Sequence, residues 1–173
     1  MAGDRDAIDE WMATWLSDLP QLDLEVEGIV ERIQFLNKRM KQMLEETLAE
    51  FGLNLGEWGV LSALWNSGEP YHRSPGYLAK RAGLTTGAMT NRLDGLEEAG
   101  LVRRLPDPED RRGVIVELTP KGRELWERSV GAQAAKEQFV ASALSASEQK
   151  QLNKLLRRMV RAVKPPDKTD KLE

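Results

Sequence analysis

Residues 78–104 read LAKRAGLTTGAMTNRLDGLEEAGLVRR, and this stretch decides the fold. Apolar residues recur in it at helical spacing, and Gly83 and Gly100 end two successive helical segments. Just before the stretch, Ser74 and Pro75 are typical of an N-cap and a first helical position. Two short helices joined by a tight glycine turn form a helix-turn-helix. The sequence therefore predicts this motif, with its second helix near residues 84–99.

A β-hairpin is predicted directly after the motif. Residues 101–104 are expected to form a short strand, and residues 114–118, VIVEL, form a β-branched one. Between them lies the polar, turn-rich loop PDPEDRRG at residues 106–113. Helix, strand, charged loop and strand, in this order, predict a wing, and the order carries the prediction more than any single residue.

Longer helices are predicted on both sides of the winged region. From Asp23 to Phe51 apolar residues follow one another at spacings of three and four, which indicates one long amphipathic helix. A helix of this length exceeds the radius of a small domain, so part of it is expected to pack elsewhere, for example on a second subunit. A short helix at residues 6–16 precedes it. Two helices, from Pro120 to about Val140 and from Ser145 onward, follow the wing.

The composition excludes several classes of function. The chain has no cysteine and one histidine, so disulfides and thiolate zinc sites are excluded. It also lacks a phosphate-binding glycine loop and a nucleophile–base pair, so we expect no enzyme activity, no cofactor and no metal site. There is no apolar run of about 18 residues, and the first residues, MAGDRDAIDE, are acidic. We therefore expect no membrane span, no secretory signal and a cytoplasmic location.

The charge is distributed unevenly along the chain. Residues 1–31 contain nine acidic residues and one basic residue, whereas residues 71–125 contain ten basic and eight acidic residues. A face that binds DNA would therefore lie in the middle of the chain. The alternative is that the acidic beginning is merely well solvated.

The second helix of the motif has the two sides that a recognition helix needs. Met89, Leu93 and Leu96 share one side, which is expected to face the core. The opposite side of its first half is small and polar, whereas bulky residues would hold the helix away from the bases that its first turns read. The predicted DNA contacts are Ser74, Thr85, Thr86, Gly87, Ala88, Thr90, Asn91, Arg111 and Arg112.

The chemistry of these residues suits both bases and phosphates. Asn91 can form two hydrogen bonds with adenine, and threonine and alanine can contact the thymine methyl group. Thr85, Thr86 and the free N–H groups of the first turn suit a phosphate. Arg111 and Arg112 at the wing tip are expected over the neighbouring minor groove, because narrow A·T-rich grooves attract arginine. The alternatives are a solvent-facing helix and an ordinary charged turn that three acidic residues nearly neutralise.

At this point the sequence resembles the MarR family of bacterial transcription regulators. The resemblance runs from about residue 25 to residue 163 and is carried by residues 78–104 and by DPEDRRGVIVELTPKGREL at residues 107–125. The family's wing pattern Asp-x-x-Asp-Arg-Arg occurs as Asp107, Asp110, Arg111 and Arg112. Its Leu-Thr-x-x-Gly start of the next helix occurs as Leu118, Thr119 and Gly122.

The resemblance implies a mainly α fold with a small β-hairpin wing, a winged helix-turn-helix with N- and C-terminal dimerisation helices. Residues 1–22 would form an N-terminal extension helix, 23–53 a dimerisation helix, 54–119 the DNA-binding region, 120–164 the C-terminal dimerisation helices and 165–173 a disordered tail. The family implies a homodimer whose recognition helices meet successive major grooves of a pseudo-palindrome. Its members are usually repressors, and many are released by small ligands.

A narrower similarity links the chain to the urate-responsive branch of the family. That branch has an extra N-terminal helix with a tryptophan, an Asn-Arg pair in the recognition helix and an arginine in the first wing strand. The matching residues here, predicted to bind a small anionic or aromatic metabolite, are Trp11, Trp15, Arg92 and Arg104. The branch also has an aspartate directly after the tryptophan of Gly-Leu-Asn-x-x-x-Trp, where this chain has Gly59 after Trp58. This departure puts urate itself in doubt.

The predicted ligand site has a direct consequence. Arg92 falls on the flank of the recognition helix, so an anion held there would move the helix off the groove. Its alternative role is contact with a phosphate or with an acid of the same domain. On the ligand hypothesis, Arg104→Ala abolishes ligand-induced release while leaving DNA binding largely intact. A different function also stays open, a winged-helix protein-interaction module without DNA binding, because a fold does not fix a function.

Overall fold

The computed structural model describes residues 5–14, 18–19, 21–108, 110 and 112–163 of the chain. Trp15, Arg111 and the tail at residues 165–173 lie outside these residues. The described chain folds in the order α1 Ala7–Ala13, α2 Leu24–Glu50, α3 Leu55–Trp65, β1 His72–Arg73, α4 Pro75–Arg81, α5 Thr86–Glu98, β2 Val102–Pro106, β3 Val114–Leu118, α6 Pro120–Ala141 and α7 Ala146–Ala162. It divides into two compact units within α2, between Leu44 and Glu45.

The first unit contains α1 and the beginning of α2. Asp6 caps α1 and accepts hydrogen bonds from the N–H groups of Ile8 and Asp9. Arg32 of α2 pairs with Asp6 at 3.0 Å and with Asp9 at 2.7 Å. The hydrogen bond from Arg32 lowers the pKa of both carboxyl groups. Met12 is buried in this unit, and the Arg32 bridge ties α1 to α2.

In the second unit, side-chain caps begin the helices. Asn54, Ser74 and Thr119 are the N-caps of α3, α4 and α6. Ser145 caps α7 and forms a capping box with Glu148. These caps satisfy backbone N–H groups that have no partner within the helix. The helix boundaries in this unit are therefore encoded locally.

The sheet contains one strand that the sequence analysis did not predict. β2 and β3 form the expected antiparallel hairpin, in which Val102 is opposite Leu118 and Pro106 opposite Val114. β1 adds to the other edge of β3, with His72 opposite Glu117, so the order is β1-β3-β2. β2 also ends two residues later than predicted.

The core of the second unit lies between the motif, the sheet and α3. Met89, Leu93 and Leu96 of α5 are each at most 2% exposed, which confirms the predicted inner side of this helix. Apolar side chains of the same unit that are also at most 2% exposed are Leu48, Leu61, Leu64, Leu78, Val102 and Val116. The mainly α, winged helix-turn-helix fold is confirmed.

Two buried hydroxyl groups join the helices around this core. Thr47 donates to the side-chain oxygen of Gln133 at 3.1 Å, which joins the end of α2 to α6. Ser129 of α6 accepts from the indole N–H of Trp58 on α3, also at 3.1 Å. Buried polar groups of this kind are stable only when they are paired. They fix α6 against α2 and α3 within this unit.

Among the described residues, no helix combines the length and apolar character that crossing a membrane requires. The described residues also include no cluster of three or more histidine, aspartate or glutamate side chains arranged to hold a metal ion.

Candidate nucleic-acid interface

The beginning of α5 presents the small, polar surface that the sequence predicts. Thr85 is the N-cap, and its hydroxyl accepts from the N–H of Ala88 at 3.3 Å. The side facing away from the core is exposed at Thr86, Gly87, Ala88, Thr90 and Asn91. Because the inner side of α5 is buried in the core, this outer surface is held rigidly.

The hydroxyl hydrogen of Thr90 is engaged in a hydrogen bond within α5. Its Oγ1 donates to the backbone oxygen of Thr86 at 2.9 Å, one turn earlier. The methyl group and the oxygen lone pairs of Thr90 therefore remain for a ligand. Such a side chain can contact a thymine methyl or accept from a base amino group.

Gly87 leaves open space at the centre of this surface. A Cβ atom added to it would meet no atom within 4 Å, apart from its own helix backbone and chain neighbours. The glycine is therefore not required by packing within the chain. A residue that weakens a helix but fills no structural need suggests that the space above it is used.

Ser74 lies at the start of the preceding helix and is exposed. Its hydroxyl accepts from the N–H of Tyr77 at 3.3 Å. Next to it, the Arg73 guanidinium lies 5.5 Å from the centre of the Tyr77 ring and donates to the backbone oxygen of His72. Arg73 is thus held in place by the chain, whereas Ser74 faces outward.

The wing tip is built by two aspartates and one glycine. The Asp110 carboxylate accepts from the backbone N–H of Arg112 at 2.9 Å, and Gly113 donates to the backbone oxygen of Asp110 at 2.8 Å. A Cβ on Gly113 would come within 2.9 Å of the Asp107 Cβ. From the sequence, the alternative interpretation of these acids is that they neutralise the arginines. In the structure Asp110 shapes the backbone, and the Arg112 side chain is exposed.

Arg104 connects the wing to the recognition helix. Its guanidinium lies 2.7 Å from Asp94 and 2.5 Å from Glu97, both on α5. Its backbone N–H donates to the same Glu97 carboxylate at 2.8 Å, and Nη2 lies 3.4 Å from the backbone oxygen of Thr90. Burial lowers the pKa of Arg104, but the hydrogen bonds that it donates to Asp94 and Glu97 outweigh this effect and raise the pKa. These two acidic partners of Arg104 were not predicted from the sequence.

Arg92 lies on the flank of α5, as the helical wheel predicts. It is half-buried, and its guanidinium packs directly against Gly56 of α3, where a Cβ atom would overlap it. Within the described residues we find no hydrogen bond or ion pair of its side chain. The guanidinium is therefore close to the protein body without a charged partner from it.

The predicted residues are thus brought together in part. The recognition surface, Ser74, Arg112, Arg92 and Arg104 all belong to the second unit, whereas Trp11 lies on α1 in the first unit and is 49% exposed. Trp15 and Arg111 are outside the described residues. The DNA-contacting and ligand-binding roles of all these residues remain predictions.

Comparisons with known proteins give the chain its family. The sequence model of the MarR family matches residues 51–113. The HTH-type transcriptional regulator PecS of Dickeya dadantii is 30% identical over 145 residues, which cover 84% of this chain and 87% of PecS. The HTH-type transcriptional repressor YetL of Bacillus subtilis is 33% identical over 70% of this chain and 72% of its own length.

Solved structures agree with this assignment. A mutant of Escherichia coli MarR complexed with operator DNA has a TM-score of 0.58 and 29% identity, over 80% of this chain and 99% of that one. The YusO protein of Bacillus subtilis shares the fold with a TM-score of 0.72 at 22% identity, over 82% of this chain and 100% of that one. The chain belongs to the MarR family of transcriptional regulators.

Proposed function

We propose that this protein is a sequence-specific DNA-binding repressor that binds a pseudo-palindromic operator as a homodimer. The observation that carries the proposal is the exposed, small and polar start of α5, held rigidly by the buried Met89, Leu93 and Leu96 beside an exposed wing arginine. A recognition helix reads bases with its first turns, and a wing adds a second contact nearby. Binding to the chromosome would also carry with it the cytoplasmic location expected from the sequence.

The relatives support the same function. Escherichia coli MarR, described above, was solved with operator DNA, and YetL is named as a repressor. This chain itself has the surface features that DNA binding requires. The outer residues of α5 are exposed, and Arg112 projects from a wing that Asp110 shapes.

The homodimer is supported by apolar faces that the single chain leaves uncovered. The exposed apolar side chains of α7 are Leu152, Leu155, Leu156, Met159 and Val160, and those near the beginning of α2 include Leu24, Val26, Ile29 and Val30. Exposed apolar side chains that recur along a helix often mark a protein interface. The polar residues of the two helices carry opposite charge, basic on α7 and acidic at the start of α2. A second copy of the chain would therefore complement both.

The proposal is tested by binding to the DNA upstream of the protein's own gene. We expect a complex of two chains per site whose affinity falls steeply as salt rises, because phosphate contacts release counterions. Absence of any salt-dependent, sequence-specific complex would contradict the proposal and leave the protein-interaction module as the better explanation.

Arg112→Ala is expected to weaken this binding and to reduce the magnitude of the slope of log K against log salt by about 1 per chain, because one cationic contact at the minor groove and its flanking phosphates is lost. The measurement is fluorescence anisotropy at several salt concentrations. Arg128→Ala on α6 is the matched control, since this exposed arginine lies outside the motif and the wing. An unchanged slope for Arg112→Ala would remove the wing arginine from the DNA contacts.

A ligand-responsive function is supported by the position of Arg92. A half-buried guanidinium with no acidic partner in the described chain is a ready site for an anionic or planar metabolite. The site lies between α5 and Gly56 of α3, so an occupant would press on the recognition helix itself. The tryptophans predicted at this site remain part of the hypothesis.

In Arg92→Ala, the ratio between the DNA affinities measured without and with urate or related anions is expected to fall to one. This ratio isolates the ligand response from any effect of the substitution on DNA binding alone. Arg81→Ala on α4 is the control for loss of one half-buried arginine in the motif. If an anion still releases Arg92→Ala from DNA as it releases the unmodified protein, Arg92 is not its binding residue.

A further inference from the structure

Arg104 forms a bridge that joins two elements with different tasks. One guanidinium reaches two carboxylates of α5, Asp94 at 2.7 Å and Glu97 at 2.5 Å. These acids are three positions apart and therefore lie on the same face of the helix. A planar guanidinium presents its donors in a fixed fork and can span two such carboxylates, whereas lysine offers one compact ammonium group on a flexible stem. The backbone N–H of Arg104 adds a further bond to Glu97, so the strand as well as the side chain is tied to the helix.

The neighbouring arginine on the same strand shows the contrast. Arg103 pairs with Glu117 of β3 at 2.7 Å, so its ion pair remains inside the sheet. Its side chain is 57% exposed, whereas that of Arg104 is 28% exposed. Successive residues of a strand point to opposite faces, which explains why only one of the two reaches α5. Arg103 strengthens the hairpin, and Arg104 connects the hairpin to the recognition helix.

We propose that Arg104 is a positioning residue for DNA recognition, which sets the orientation of the wing relative to α5 through Asp94 and Glu97. The proposal rests on the proposed DNA-binding function and adds to it how the two contacts are kept in register. α5 and β2 are also joined by the turn around Gly100 and by the core in which Leu96 and Val102 are buried, and the Arg104 bridge adds an ionic link between the helix and the strand that continues into the wing. A wing aimed at one groove and a helix seated in another need a fixed relative geometry to bind together.

This role and the predicted ligand role of Arg104 differ in what they require without any ligand. A ligand-binding residue can be removed with DNA binding largely preserved. A positioning residue cannot, because the wing contact is lost together with the bridge. We therefore expect Arg104→Ala to weaken operator binding about tenfold in ligand-free solution, a coupling typical of residues in one network. Arg104→Lys is expected to fall between this variant and the unmodified protein.

The direction in which DNA affinity changes in a second variant distinguishes a positioning role from a purely electrostatic one. Asp94→Ala combined with Glu97→Ala removes two negative charges from the flank of α5. If charge alone mattered, DNA would bind this protein more tightly, since repulsion of the phosphates is reduced. If the bridge matters, DNA binds more weakly, because Arg104 has lost both anchors. We expect weaker binding, and tighter binding would overturn the proposal.

The closing experiment is a double-variant cycle on the operator, with Arg103→Ala as the matched control. In the unmodified background Arg112→Ala weakens binding, whereas with Arg104→Ala present its additional effect is expected to fall below about twofold. Additive losses would mean that Arg104 contacts DNA itself, and unchanged affinity for Arg104→Ala would mean that it has no role in recognition. Either result overturns the proposal. Failure of the unmodified protein to bind DNA would instead contradict the proposed function.

Two further measurements test whether a loss of DNA affinity is caused by misfolding of the variant. Arg103→Ala loses an ion pair of similar length from the same strand and is expected to bind DNA within about twofold of the unmodified protein. Thermal unfolding of all variants is expected to change little, because partly exposed ion pairs contribute little to stability. A large loss of affinity in Arg103→Ala would contradict the assignment of the coupling to Arg104.

Discussion

Gly87→Glu is expected to lower operator affinity by about a hundredfold or more, because a buried, unpaired charge at the centre of an interface is among the most costly changes. Gly87 lies in the middle of the exposed recognition surface, two residues after the N-cap Thr85. A glutamate there would place a carboxylate where the bases and phosphates of DNA are proposed to lie. The loss should be seen directly in anisotropy titrations with the operator.

The same substitution is expected to leave the fold intact or to stabilise it. A Cβ at Gly87 meets nothing within 4 Å, so no overlap arises. Replacing an exposed helical glycine gains up to about 1 kcal/mol in helix propensity, and a carboxylate in the first turn interacts favourably with the helix dipole. A higher melting temperature together with lost binding is therefore the expected signature.

Gly95→Glu is the control, because it adds the same charge to the same helix. Gly95 is also exposed with open space around its Cβ, but it lies in the later half of α5. We expect its affinity loss to be at least about tenfold smaller, since only the first turns read the bases. Equal losses for the two variants would show that charge on α5, and not the recognition surface at its start, controls binding.

Gly122→Ala is expected to destabilise the fold by about 3 kcal/mol, at the upper end of the usual cost of overpacking. Gly122 is buried near the start of α6, and a Cβ there would overlap the backbone oxygen of Leu101. A backbone atom cannot swing aside as a side chain can, so α6 or the turn before β2 would have to move. A loss of this size lowers the melting temperature by about 6–12 °C in a domain of this length.

Gly131→Ala on the same helix is expected to have the opposite sign. Gly131 is exposed, and a Cβ there meets nothing within 4 Å. The substitution should gain up to about 1 kcal/mol from helix propensity alone. Calorimetry of the two variants beside the unmodified protein makes the comparison. A Gly122→Ala protein as stable as Gly131→Ala would mean that the close approach at Leu101 does not constrain the fold.

Much of the fold could be predicted from local signals. The N-caps Ser74, Thr119 and Ser145 each stand directly before a run with helical spacing, and each begins a helix in the structure. The inner side of α5 could be predicted from the helical spacing of its apolar residues alone, because an amphipathic helix buries only one stripe of side chains. Such features depend on residues close together in the sequence.

The features that could not be predicted from the sequence depend on residues that are far apart in the chain. β1 has only two residues and exists because His72 pairs with Glu117. A strand this short has no alternation to detect, so nothing near residue 72 could indicate it. The bridge from Arg104 to Asp94 and Glu97 needs the chain to turn back after Gly100, and its geometry emerges only when strand and helix are in place.

The C-terminal end of α5 is hydrogen-bonded to the start of α6. Lys121 donates to the backbone oxygen of Ala99 at 2.7 Å, and the Thr119 hydroxyl donates to that of Gly100 at 2.8 Å. Thr119 is the N-cap of α6 and Lys121 lies in its first turn, and this helix of 22 residues is about 33 Å long. A tilt of about 5° about its beginning shifts its far end by about 3 Å over this length. The start of α6 is therefore tied to the end of α5, and any change of angle between the two helices would be largest at the far end of α6.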